Sequence, residues 1–172
     1  MDSINRYESP IGRLWISADG GGLTAVHFEQ PGEAARWESD AAGAEAARLA
    51  RRWLDLYFAG AVPDFLPPLH LLGSDFQQAV WQILLSIPYG TVRTYGEIAR
   101  ELSRRRGGSM AAQAVGGAVG RNPIAIIVPC HRVVGAHGNL TGYAAGLAKK
   151  KALLALEGLD MSCFRDPEKE GL

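Results

Sequence analysis

The sequence predicts an α+β fold in two parts. A small, β-rich α/β domain spans residues 1–72, and a mainly helical domain with a helix-turn-helix spans 73–160. Three observations carry this. Up to Phe28, short apolar runs alternate with turns marked by Gly and Pro. From Ser74 onward the apolar residues recur at helical spacing behind two capping sequences. Between the two lies a Pro-rich stretch, 62–71.

Within the first part, residues 4–28 read as strands and tight turns. Ser9-Pro10-Ile11-Gly12 is a turn, and 13–18 is a short strand with Leu14 and Ile16 on one face. Asp19-Gly20-Gly21-Gly22 forms a hairpin loop, and 23–28 returns. No Lys-Ser/Thr follows the Gly run, so it is not a phosphate loop. Residues 41–58 are Ala-rich and periodic, with Ala46, Leu49, Trp53, Leu56 and Tyr57 on one helical face. The prolines of 62–71 fit a connector with an edge strand.

In the second part, Ser74 caps a helix over 76–85 with Val80, Ile83 and Leu84 inward. Ile87-Pro88-Tyr89-Gly90 is a turn. Thr94 and Glu97 have capping-box spacing for a helix over 95–102, followed by a basic loop, Arg104-Arg105-Arg106-Gly107-Gly108. A slim third helix covers 111–119, and the pair reads as a helix-turn-helix. An apolar segment follows Asn122-Pro123, and the last helix is 147–156, with three lysines near its start. The tail, 161–172, has weak signals and is expected to be mobile.

The chain has 172 residues, 47% hydrophobic, with 18 basic and 18 acidic side chains. Net charge therefore recruits neither nucleic acid nor membrane, and a nucleic-acid surface must be a local patch. Cys130 and Cys163 are far apart, which fits a reducing, cytosolic setting better than a disulfide scaffold. No long apolar span and no signal-peptide pattern are visible.

The chemistry concentrates in IIVPCHRVVG, where Cys130, His131 and Arg132 interrupt an apolar run. Such groups need partners if buried. Cys130 is either a buried small hydrophobe or a nucleophile; because Pro129 breaks the strand, it can start a turn whose unpaired amides favour thiolate. His131 is either a satisfied core residue or the base that removes the thiol proton, which requires the chain to turn there. Arg132 reads as a clamp on backbone carbonyls between the domains. Glu157 is either a solvated helix end or a carboxylate that orients His131. His27, His70 and His137 lack metal-ligand clustering, so no metal is expected. The slim helix, with Ala112 and Gly116, serves either close helix packing or close approach of something large, such as a nucleic-acid groove.

Together these stretches resemble the O6-alkylguanine-DNA alkyltransferases (methylated-DNA–protein-cysteine methyltransferases). The matching text is DFQQAVWQILLSIPYGTVRTYGEIAREL, then AVGGAVGRNPIAIIVPCHRVVGAHGNLTGYAAGLAKKKALLALEG, with SPIGRLWISADGGGLTAVHF nearer the N-terminus. PCHRV between GRNP and LTGY is the specific part. The resemblance implies a ribonuclease-H-like first domain and a winged-helix-like second one. It also implies DNA repair: the damaged guanine is flipped out of the duplex, and its alkyl group passes irreversibly to Cys130 in a single turnover. It implies that His131 takes the thiol proton through water and Glu157 holds the imidazole. Tyr95 would donate to the guanine ring nitrogen, and Asn122 would hold the turn before the active-site segment. The carbonyls of Cys130 and Val133 would accept from the guanine amino group, and the amide near Ala144 would face O6. Tyr143 and Lys150 would support the pocket wall and the cysteine loop. The slim helix would enter the minor groove. The expected partner is duplex DNA containing O6-alkylguanine, bound by a monomer without cofactor.

Two departures stand out. Gln113 occupies a position where the family usually has an arginine that fills the gap left by the extruded base. The connector with Arg104, Arg105 and Arg106 is longer than usual; one of these arginines replaces the lost charge, or the loop is merely solvated and basic. Ala144 stands where serine is frequent. First-domain cysteines that hold zinc in some members are missing, so no zinc is expected. Two other readings compete: a lesion sensor with weak or no transfer, and a cysteine hydrolase, which would need an oxyanion site.

Overall fold

The computed structural model describes residues 6–28 and 41–166. Residues 4–5 of the expected first strand region and 167–172 of the tail lie outside them. The α+β class stands, and the chain divides into two compact units. Met1–Leu72 with Pro123–Ile127 forms one, and Gly73–Asn122 with Val128–Leu172 forms the other.

In the first unit, β1 (Arg6–Ser9), β2 (Gly12–Asp19) and β3 (Gly22–His27) form an antiparallel meander. Only Gly20 and Gly21 separate β2 from β3, so the hairpin loop is tighter than the four-residue loop expected. Leu14, Ile16, Leu23 and Val26 turn inward, as alternation requires. Helix α1 (Ala41–Phe58) packs on β2 and β3. Its buried stripe is Ala46, Ala47, Ala50, Trp53, Leu54 and Tyr57. The expected Leu49 and Leu56 are only half-buried, because each sits one residue, about 100°, off that stripe.

The expected edge strand in 62–71 is absent. A single bridge joins Leu69 to Leu23, with Leu23 N donating to Pro68 O and His70 N to Leu23 O, both at 2.8 Å. Pro67 and Pro68 have no N–H to extend a ladder. The segment after Asn122 pairs with β3 instead: Val26 N donates to Pro123 O at 2.9 Å and Ala125 N to Val26 O at 2.8 Å.

The second unit is built on α2 (Asp75–Leu85), α3 (Tyr95–Arg106), α4 (Ala112–Gly120) and α5 (Leu147–Leu156). Both capping boxes form, Ser74 with Gln77 and Thr94 with Glu97. Val80, Trp81, Ile83 and Leu84 of α2 are buried in the core that also takes Ile98, Leu102, Val115 and Val119. The Trp81 indole satisfies its N–H on Ala118 O at 2.9 Å, which ties α2 to α4.

Arg104, Arg105 and Arg106 are not in a loop. They form the last turn of α3, which ends at Gly107 with φ 76°. Arg105 pairs with Glu101 one turn earlier, Glu101 also holds Arg93, and three cations complement the helix C-terminus. Helix α4 starts at Ala112, one residue later than expected, without a side-chain cap.

Two short contacts hold the chain around and after Cys130. β4 (Arg93–Thr94) pairs in parallel with β5 (Val133–Val134), which brings the start of α3 beside the residues that follow Cys130. The tail docks by Leu140 N to Arg165 O and Arg165 N to Gly138 O, both 2.9 Å. Met161 and Phe164 pack on Val134, Leu140 and Leu154.

Candidate active site

Pro129 ends the extended run, and Cys130–Arg132 form one turn of 3-10 helix before Val133 resumes the strand. Cys130 N donates to Val128 O at 2.8 Å and Arg132 N to Pro129 O at 3.0 Å. The turn lets consecutive side chains serve one site, which an extended strand would prevent. All three are withdrawn from water: Cys130 is 8% exposed, His131 0% and Arg132 7%.

Glu157, the C-cap of α5, is where this segment is anchored. His131 Nε2 lies 2.6 Å from Glu157 Oε2. Arg132 Nε donates to Oε1 at 2.8 Å and its Nη2 to Oε2 at 3.2 Å. Gly90 N donates to Oε1 at 2.9 Å. Arg132 Nη1 reaches one carbonyl, Ile87 O, at 2.8 Å, and its guanidinium lies 5.7 Å from the Tyr89 ring centre. Arg132 is thus not the clamp between domains that was expected. Every partner it has here lies in the second unit, and a buried carboxylate outcompetes carbonyls for a fork of charged donors.

Burial alone would raise the Glu157 carboxyl, but its bonds from His131, Arg132 and Gly90 hold it down at about 2. Burial lowers the His131 imidazole below its ordinary value; Glu157 opposes this, and the Arg132 and Lys150 charges add to it. Burial also pushes the Cys130 thiol up, against Asn122, the Lys150 charge and backbone amides. The amides of the turn do favour thiolate as expected, but burial outweighs them. One 3-10 turn aligns too few peptide dipoles to offset desolvation. The resting group is a thiol, and it needs a base.

The remaining site residues brace this turn. Asn122 Nδ2 donates to Val128 O at 2.8 Å and also bonds the Cys130 thiol. Lys150, fully buried, donates from Nζ to Val133 O at 2.6 Å and Thr141 O at 2.9 Å; burial brings it down to about 8.

A cavity of about 970 Å³ opens in this unit. Ala112, Gln113 and Gly116 of α4 line one wall with Tyr95 and Arg100 of α3, and His137, Thr141, Tyr143 and Ala144 line the other. Tyr95 donates its hydroxyl to Thr141 O at 3.2 Å. Burial raises the pKa of both Tyr95 and Tyr143, and a Cys130 thiolate would raise it further. The Tyr143 hydroxyl is buried and has no hydrogen-bond partner among the described residues.

Arg104, Arg105 and Arg106 do not line this cavity. Arg105 is held by Glu101 and Arg106 donates to Asp75 O at 3.2 Å. Sequence reasoning missed Arg100, which puts a cation on the cavity wall that Gln113 shares. Its position one turn after Gly96, which also lines the cavity, was the available signal. The Gly90 amide was missed too; no local pattern marks it.

Comparison with known proteins decides the family. The DNA binding domain of 6-O-methylguanine DNA methyltransferase matches residues 75–159, and that family's ribonuclease-like domain matches residues 5–71. The chain belongs to the 6-O-methylguanine DNA methyltransferase family. The methylated-DNA–protein-cysteine methyltransferase of Mycobacterium bovis is 50% identical over 160 residues, 91% of this chain and 93% of that one. Its counterpart in Methanosarcina acetivorans is 48% identical over 153 residues, 88% of this chain and 96% of that one. Mycobacterium tuberculosis OGT in complex with DNA superposes with a TM-score of 0.76 at 46% identity, covering 92% of each chain. This methyltransferase is thus a DNA repair protein that moves an alkyl group from DNA to a cysteine, and the sensor reading is not favoured. No helix among the described residues is long and apolar enough to cross a membrane. Among them, no group of three or more His, Cys, Asp and Glu residues could hold a metal.

The two shifted groups predict how the fold responds to acid. The unfolded chain protonates histidine near 6.5 while the buried His131 resists, so stability falls as pH drops below 6.5. Glu157 then contributes stability above 4.5 that is lost as pH falls from 4.5 towards about 2. Urea denaturation midpoints measured from pH 7.5 to 3.5 are expected to decline in this order; a flat profile would contradict the buried pair.

Proposed function

We propose that Cys130 is the acceptor, that an O6-alkylguanine rotated out of duplex DNA occupies the cavity beside α4, and that Cys130, His131 and Glu157 act as one unit. The observation that carries this is the buried thiol with a raised pKa, next to an imidazole bound through Nε2 to a carboxylate. With Nε2–H donated to Glu157, His131 Nδ1 is the ring nitrogen that accepts the thiol proton through water. The sulfur attacks the alkyl carbon, the carbon–O6 bond breaks, and its electron pair leaves with guanine. Tyr95 donates to the guanine ring nitrogen and eases that departure. The product is a thioether, a poor leaving group, so one protein repairs one lesion.

Supporting roles follow from chemistry. The Cys130 and Val133 carbonyls accept from the guanine amino group; Val133 O already takes Lys150 at 2.6 Å and keeps a second lone pair. The Ala144 amide faces O6, so the missing serine hydroxyl changes little. Asn122 fixes the turn that presents the thiol, and Tyr143 forms the pocket wall. Ala112 and Gly116 let the α4 backbone approach the minor groove. Gln113 is neutral, and Arg100 supplies the nearby cation. No cofactor is required, and the protein acts as a monomer. A free acceptor thiol and a chromosomal substrate fit the reducing, DNA-containing cytoplasm or nucleoid.

Intact mass after incubation with O6-methylguanine duplex tests the reading. One added methyl on wild-type protein and none on Cys130→Ser are expected. Retained binding without adduct would revive the sensor reading, and repeated turnover would indicate a hydrolase.

Salt dependence tests the basic turn of α3. Because Arg105 and Arg106 are engaged within the protein, alanine at all three arginines should flatten the slope of log affinity against log salt by about 1, not about 3. An unchanged slope would remove the turn from the DNA face.

A further inference from the structure

We infer that Arg132 is a positioning residue for the transfer. By occupying both oxygens of Glu157 it sets how strongly that carboxylate draws a proton onto His131. The inference rests on the roles of Cys130 and His131 proposed above, and goes beyond them to the residue that tunes the base.

A carboxylate offers about four lone-pair sites. In Glu157 they receive the Gly90 amide and Arg132 Nε on Oε1, and His131 Nε2 and Arg132 Nη2 on Oε2. Half of the donors, and the only full opposite charge on the carboxylate in this set, come from Arg132. Take Arg132 away, and this buried anion loses two of these four donors together with the guanidinium charge. An uncompensated buried charge is costly, and the cheapest remedy is a second proton on the neighbouring ring. An imidazolium has no lone pair at Nδ1 and cannot take the Cys130 proton. With Arg132 in place, the charges of Arg132 and Glu157 cancel and the ring remains a neutral base.

The other groups that face this pair do not replace Arg132. Lys150 of α5 opposes a proton on His131 but is bound to the Val133 and Thr141 carbonyls, not to Glu157. Tyr89 of the turn before β4 faces Arg132 and Glu157 and is uncharged at neutral pH, with its pKa raised by burial. Cys130 is a thiol at rest. A mere brace would also explain the bond to Ile87 O and the packing on Tyr89. A brace, however, would change stability and rate alike at every pH, whereas a tuning residue moves a titration.

The test is the NMR titration of the His131 ring in the full chain, assigned with His131→Gln, for wild type, Arg132→Gln and Arg132→Lys. The acid limb of methyl transfer to Cys130 is measured in parallel. In wild type the ring should stay neutral to below 6.5, its ordinary midpoint. Arg132→Gln should raise the midpoint by about 1 unit or more and move the acid limb with it. Arg132→Lys, whose point charge cannot span both oxygens, should fall between. An Arg132→Gln protein that transfers slowly but titrates as wild type overturns the inference. So does a wild-type ring that titrates at 6.5 or above. If Arg132→Gln does not fold, the wild-type titration and the Arg132→Lys difference decide. A wild-type protein that gains no methyl while its titrations behave as described would instead sink the assignment of Cys130.

Discussion

One buried carboxylate joins three parts of the chain that are distant in sequence. Glu157 closes α5, accepts the amide of Gly90 from the turn before β4, and holds His131 and Arg132 of the Cys130–Arg132 turn. A carboxylate in that place is costly unless every lone pair has a donor. Its saturation therefore fixes the relative positions of α5, the turn at Gly90 and the Cys130–Arg132 segment. Gly90, at φ 74°, is suited to the left-handed turn that presents its amide.

The Cys130 thiol is shaped by the same economy of water. Burial raises Cys130 and lowers His131, so both resting groups are neutral. A permanently ionised thiolate would be exposed to oxidation and to any passing electrophile. In the proposed mechanism, a buried thiol beside a neutral base is activated when the substrate sits against it. In the proposed single-use transfer that restraint is valuable, since a wasted cysteine is a wasted protein. Lys150 and Asn122 moderate the cost by favouring the anion as it forms.

Local features were legible in the sequence and distant ones were not. Ser74 with Gln77 and Thr94 with Glu97 form their capping boxes because a cap depends on residues three apart. PCHRV signalled a turn because Pro129 must break the strand. By contrast, Arg104-Arg105-Arg106-Gly107-Gly108 looked like a loop, and the Glu101 pairings that extend α3 through Arg106 were overlooked. The partner of Arg132 lies 25 residues away, and Gly90 lies 67 from Glu157, so no periodicity could connect them. The protonation state of Cys130 depends on burial, which the sequence hints at but does not set. The match of Leu49 and Leu56 to a helical face was right in kind and off by one residue.

The claim that Glu157 organises the reaction is tested most directly by the single-turnover transfer rate of Glu157→Gln on O6-methylguanine duplex, under conditions where the variant is folded and saturated with DNA. Glutamine keeps the shape and loses the charge that orients the imidazole and neutralises Arg132. A fall of about 100-fold or more, with DNA affinity unchanged, is the predicted result. A rate within about threefold of wild type would contradict the account.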